Sequence, residues 1–83
     1  MMSYFVYIVR CNDDSLYTGY AKDVNKRVWH HNNSRLGAKS LKGKRPVKLV
    51  YSEEFDNISD ALKKEAEIKK WKKGKKEELL RLH

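Results

Sequence analysis

The sequence predicts a small α+β domain with elements in the order β-β-α-β-α-α. An aromatic, β-branched run at Tyr4 to Arg10 reads as a strand. A second such run, Leu16 to Tyr20, follows a turn-rich link, Cys11-Asn12-Asp13-Asp14-Ser15. The second half is lysine-rich and repeats its apolar residues at helical spacing. Eighty-three residues hold one domain, 1–83, with no repeat and no internal boundary.

Each element has its own signal. Tyr4 to Arg10 is apolar on both faces, with Phe5, Tyr7 and Val9 on one and Tyr4, Val6 and Ile8 on the other. A strand covered on both sides is central in its sheet. Leu16 to Tyr20 completes a hairpin. Asp23 caps a helix that runs to about Asn33. Arg35 to Lys48 carries Gly37, Gly43, Pro46, six basic residues and no acid, and reads as a mobile basic loop. Pro46 marks the entry to a third strand, Val47 to Ser52. Ser59 caps a second helix that ends near Lys73, with Gly74 as its stop. A last helix, Lys75 to about Leu82, presents Leu79, Leu80 and Leu82 for packing.

Composition narrows the class of function. Hydrophobic residues make up 40% of the chain, enough for a core. Nineteen Lys and Arg against 11 Asp and Glu leave a net charge of +8, the footprint of a polyanion binder such as a nucleic-acid protein. The one cysteine, Cys11, allows no internal disulfide, so an intracellular, cytoplasmic setting is expected. At the end of an apolar strand it reads as a small buried hydrophobe. His30, His31 and His83 lack the partners of a zinc site. Ser3 to Val9 is too short for a signal peptide or a membrane span, and Arg10 ends it.

The helical faces supply candidate site residues. Val24 and Val28 form a narrow apolar stripe on the first helix. At 100° per residue, Arg27 and His31 lie about 60° and 20° to one side of Val24, so both lean toward the sheet. Arg27 is either a snorkelling surface side chain or a site residue, and His31 either a boundary histidine or its companion. On the second helix Ala61, Leu62 and Ile68 form the inner face. Glu65 falls between them, about 40° from Ala61, while Glu67 points about 120° away. An inward carboxylate needs a cation. Glu65 is therefore one half of a salt bridge, for instance with Arg27, or a metal ligand. Lys22, the loop residues Arg35, Lys39, Lys42, Lys44 and Arg45, and Lys69, Lys72 and Lys73 could track a phosphate backbone. Trp71 fits packing under the last helix better than stacking on a base.

Val6-Tyr7-Ile8, Leu16-Tyr17-Thr18-Gly19, Arg27 followed by His31-Asn32, and Ala61-Leu62-Lys63-Lys64-Glu65 with Ile68-Lys69-Lys70-Trp71 stand in one order at compatible spacing. With these the chain resembles the GIY-YIG nucleases, most closely their small stand-alone bacterial members, from about Tyr4 to Leu80. The resemblance implies a three-stranded antiparallel sheet flanked by helices. It implies an active site lined by Tyr7 and Tyr17, with Arg27 and His31 from the first helix and Glu65 as the metal-binding glutamate. Gly19 corresponds to a glycine that lets substrate approach the backbone. Some members carry a lysine after that glycine. Here the position is Tyr20, so no proton-transfer role passes to a lysine.

The activity implied is endonucleolytic hydrolysis of phosphodiesters with one divalent ion, Mg²⁺ or Mn²⁺, on DNA ahead of RNA, directed by structure more than by sequence. The alternatives are a basic nucleic-acid-binding module that does not cut and, behind it, a protein-interaction adaptor. A monomer is expected, with any further specificity supplied by a protein partner. Glu65 anchors the ion, Arg27 holds a phosphate oxygen, and Tyr7 or Tyr17 activates or orients water, helped by His31. The hairpin sets a condition. Tyr7 and Tyr17 share a face only if its loop has an odd number of residues, and that face must be the one Glu65 looks toward.

Overall fold

The computed structural model describes residues 3–33 and 43–83. Its elements are β1 (Tyr4–Arg10), β2 (Leu16–Ala21), α1 (Val24–Asn33), β3 (Lys48–Phe55), α2 (Ile58–Lys69) and α3 (Lys73–Leu82). The sheet order is β2-β1-β3, with both pairings antiparallel. β1 is central, and its two apolar faces feed two cores. Tyr7 and Val9 pack with Cys11, Ala21, Val24 and Val47, and with Tyr17 and Val28 at the margin, on the side of α1. Val6 and Ile8 pack with Tyr51, Ala61 and Ile68, and with Trp71, Leu79 and Leu80, on the side of α2 and α3.

The hairpin meets its condition. Cys11 N–H bonds the Ser15 carbonyl at 2.8 Å, and Asp14 N–H bonds the Cys11 carbonyl at 2.9 Å. Asn12, Asp13 and Asp14 thus form a three-residue loop. Asp14 takes the left-handed conformation at φ 71°, which such a loop needs in its last position. Tyr7 then pairs with Gly19 and Val9 with Tyr17. Cross-strand partners share a face, so the two tyrosines lie on the same side, two positions apart.

β3 runs to Phe55, beyond the Ser52 boundary read from the sequence. Consecutive glutamates argue against a strand, but β3 is an edge strand and can carry them to solvent. Its register shifts opposite Ile8 and Val9, leaving Val50 as the extra residue. This bulge lets the adjacent Val50 and Tyr51 both serve the α2 side, while Leu49 serves the other. At the start of β3 the Asn32 amide does the work of a neighbouring strand. Its Oδ1 accepts from Val47 N–H at 2.7 Å, and its Nδ2 donates to the Val47 carbonyl at 3.0 Å. Asn32→Ala strands both backbone groups and is expected to cost about 2 kcal/mol in urea unfolding.

The helix boundaries differ in part from the sequence reading. Asp23 caps α1 as expected, accepting from Lys26 N–H at 3.0 Å. For α2 the cap is Asn57, whose side chain accepts from Asp60 N–H at 2.9 Å; Ser59 lies inside the helix. α2 ends at Lys69, and Gly74 is the second residue of α3 instead of a stop. The break comes from Trp71, which turns into the core between the two helices, so no left-handed glycine is required. Leu62 is 39% exposed, so the inner face of α2 is narrower than Ala61, Leu62 and Ile68 together; on α3, Leu82 faces solvent instead of packing. α3 has no fully buried residue. It is held by Arg10, whose guanidinium makes a two-pronged pair with Glu77 at 2.8 and 2.5 Å and a bond to Asp14 at 2.9 Å. Among the described residues no helix is long and apolar enough to cross a membrane.

Candidate active site

Tyr7, Tyr17, Gly19, Tyr20, Arg27, His31 and Glu65 line one cleft of about 200 Å³. Every residue the sequence proposed for chemistry is in this set. The hairpin supplies the tyrosines, and α1 supplies Arg27 and His31 one turn apart. Glu65 arrives by a route the helical wheel did not foresee. Its neighbours on α2, Ala61 and Ile68, pack on the sheet face opposite the tyrosines. The cleft includes Gly19 and Tyr20 of β2, which is an edge strand. Glu65 therefore meets the tyrosines around that edge and not from above their face. Its side chain is 15% exposed and lies 3.3 Å from Lys69 Nζ, so the salt bridge falls to Lys69, within the same helix.

Tyr7 and His31 form the buried heart of the cleft. Tyr7 Oη lies 2.8 Å from His31 Nε2. Burial pushes the Tyr7 phenol well above its ordinary range, and Tyr17 and Glu65 add to that. Arg27 opposes them without winning. Tyr7 is thus held as a phenol, which removes it as a phenolate base. His31, 2% exposed, is held below the ordinary histidine range, first by burial and then by Arg27, His30 and Arg45. A neutral imidazole can accept the phenol's hydrogen at Nε2 when Nδ1 carries the ring proton. Nδ1 has no hydrogen-bond partner among the described residues. Tyr17 stands edge-on to His31 with ring centres 5.6 Å apart, and 6.5 Å from Tyr7. Tyr17 is only half-buried and Arg27 is exposed, so both remain open to an incoming substrate.

The depressed His31 has a measurable consequence. Protonation favours the unfolded chain, in which histidine titrates near 6.5. The stability contributed by neutral His31 is complete above about pH 6.5 and is lost progressively as pH falls toward the lower folded pKa. Urea unfolding between pH 8 and 5 should show this loss. His31→Gln, which still offers Tyr7 an acceptor but does not titrate, should flatten it.

Gly19 has a requirement of its own. A Cβ there would stand 2.6 Å from Tyr7 Oη and 2.8 Å from its Cζ. The space that the resemblance assigns to approaching substrate is filled by the Tyr7 ring, and Gly19 is buried beneath it. Tyr20 enters the cleft although the sequence reading treated it only as the place of a missing lysine. Side-chain alternation puts it on the far face with Val6, and nothing short of knowing that β2 is an edge brings it in.

The predicted basic residues that are described have different surroundings. Lys22 lies 5.7 Å over the Tyr4 ring and lines a neighbouring groove, outside the cleft. Lys44 sits 3.6 Å from Asp13, and Lys73 sits 3.1 Å from Asp14. With Lys69 on Glu65, three of these cations lie against carboxylates. Lys72 is exposed at the start of α3, and Arg45 acts on His31. Arg35, Lys39 and Lys42 lie outside the described residues. Cys11 is buried, as expected of a strand-end hydrophobe.

Residues 3–78 match the family described as the GIY-YIG catalytic domain. The chain belongs to this family. The GIY-YIG domain here is also 55% identical over 80 residues to a UPF0213 protein of Staphylococcus saprophyticus, covering 96% of each chain. It is 59% identical over 76 residues to one of Staphylococcus epidermidis, covering 92% of each. The solution structure of a UPF0213 protein from Bacillus halodurans superposes with a TM-score of 0.64 at 41% identity, over 98% of this chain and 85% of that one. A solution structure from E. faecalis gives 0.67 at 37% identity, over 99% and 86%. The family is one of nucleases, and a nucleic-acid substrate and a divalent ion go with it.

The donor set suits such an ion. Among the described residues no three His, Cys, Asp or Glu side chains gather to hold a metal. Among the described residues Glu65 is the lone carboxylate lining the cleft, which tyrosines also line. One hard oxygen anion with open space around it fits an ion that keeps most of its water, as Mg²⁺ does, and fits poorly one that needs a full protein cage.

Proposed function

We propose that this chain is an endonuclease that hydrolyses phosphodiester bonds of DNA, with RNA second, using one Mg²⁺ or Mn²⁺ held by Glu65. One observation supports this most: an acid, an arginine, two phenols and a neutral imidazole, drawn from four separate elements, converge on a single cleft. The bound ion would supply charge on the scissile phosphate and on the departing oxygen.

The chain's own residues divide the rest. Arg27, exposed at the rim, grips a non-bridging phosphate oxygen and offsets charge in the transition state. Tyr17 orients the attacking water. Tyr7, kept as a phenol, accepts the water's proton at Oη while its own hydrogen passes to His31 Nε2, so that the proton ends on the imidazole. The ion pair with Lys69 holds the Glu65 carboxylate at the cleft. That same pair favours the second reading, a non-cutting nucleic-acid module, because Glu65 already has a cation.

The two readings separate in one assay. Single-stranded, duplex and branched DNA and RNA are incubated with the protein and Mg²⁺ or Mn²⁺, and again with chelator. Metal-dependent cutting of at least one substrate is expected. Salt-sensitive binding with no cutting of any substrate would leave the binding module instead.

A further inference from the structure

Beside the active-site cleft lies a second groove of about 280 Å³, lined by Ala21, Lys22, Asp23, Lys26, Arg27 and His30. Arg27 lines both, so the two are adjacent. The groove is basic, and Asp23, its one acid among the described residues, has an oxygen committed to capping α1. Trp29 stands next to it. On the α1 wheel Lys26 lies between Trp29 and His30, about 60° from the first and 40° from the second, so the three share the solvent face. Trp29 is 58% exposed, and its ring meets His30 edge-on at 5.4 Å. Among the described residues, neither core cluster includes this large apolar ring.

We infer that this groove and Trp29 bind an unpaired stretch of nucleic acid next to the bond that is cut, with Lys22, Lys26 and Arg27 on phosphates and the Trp29 indole stacked on a base. The inference rests on the nuclease reading and narrows its substrate class. Three cations around a groove are complementary to a phosphate backbone. An exposed indole adds affinity only where a base face is free, which the interior of a duplex does not offer. The substrate is therefore single-stranded, or a branched form with an unpaired strand leaving the cleft along α1.

The test measures binding in chelator, where no cutting occurs, by anisotropy of labelled single-stranded DNA, single-stranded RNA and a blunt hairpin duplex. Trp29→Ala is expected to weaken single-strand binding about tenfold and duplex binding less than twofold, with Trp29→Phe restoring most of the loss. Lys26→Ala should lower the slope of log affinity against log salt by about one on every substrate. Equal loss on single strand and duplex, or no loss at all, overturns the inference. So does self-association of the wild type that Trp29→Ala abolishes while oligonucleotide binding stands, which gives the face to a second copy of the chain. A wild type that cuts in Mg²⁺ while Trp29→Ala changes nothing sinks the stacking alone. A wild type that neither binds nor cuts sinks the nuclease reading with it.

Discussion

Arg27→Ala is expected to slow single-turnover cleavage by about a hundred- to a thousandfold, the usual cost of removing one preorganised group aimed at developing charge. Substrate affinity should fall far less, by about the worth of one phosphate contact. The residue is exposed, so the variant should fold. Arg27→Lys should recover only part of the rate, because an ammonium lacks the planar fork that grips a phosphate oxygen. A structural signature accompanies the kinetic one. Arg27 lowers the pKa of both Tyr7 and His31. Its removal should move the His31 titration to higher pH, visible by NMR without any substrate. A merely surface arginine would leave both the rate and that titration where they are.

Gly19→Ala should be strongly damaging. The new Cβ would meet the Tyr7 Oη at 2.6 Å and its ring carbons at 2.8 and 3.1 Å. The ring is 1% exposed and has nowhere to retreat. Alanine elsewhere in a strand gains up to about 1 kcal/mol by restricting the unfolded chain. Here overpacking, about 1–3 kcal/mol, outweighs that gain, and the Tyr7–His31 bond is lost as well. Thermal unfolding should shift down by several degrees. Cleavage should fall even at temperatures where the variant is fully folded, because the phenol is displaced from the imidazole. An alanine variant as stable and as active as the parent would show that the glycine serves something other than the Tyr7 ring.

Much of this site was legible before the fold was known, and the misses have physical causes. Period-two patterning of Tyr4 to Arg10 located the central strand and its two cores, because burial on both faces leaves no polar alternation. The helical wheel separated Glu65 from Glu67 and placed His31 inward, since angular position within a helix is local. It failed on Leu62, whose apolar side chain faces water at the end of a narrow stripe, and on the path of Glu65. That path depends on β2 being an edge strand, a property of the whole sheet. Asn57 and Ser59 are both good capping residues, and choosing between them requires knowing that β3 runs on to Phe55. Gly74 looked like a stop because glycine often is one; the stop is the inward turn of Trp71. The reason for Gly19 could not be read from the sequence either, since the ring that covers it belongs to a different strand.

Glu65, brought around the β2 edge to the tyrosines, is expected to make this cleft a metal-dependent cutting site. Glu65→Gln tests it most directly, since it keeps size and hydrogen bonding and removes the charge. Single-turnover cleavage in Mg²⁺ or Mn²⁺ is expected to fall at least about a thousandfold, with nucleic-acid binding in chelator held within a few fold. Cleavage by Glu65→Gln at the parent rate, unaffected by chelator, would contradict it.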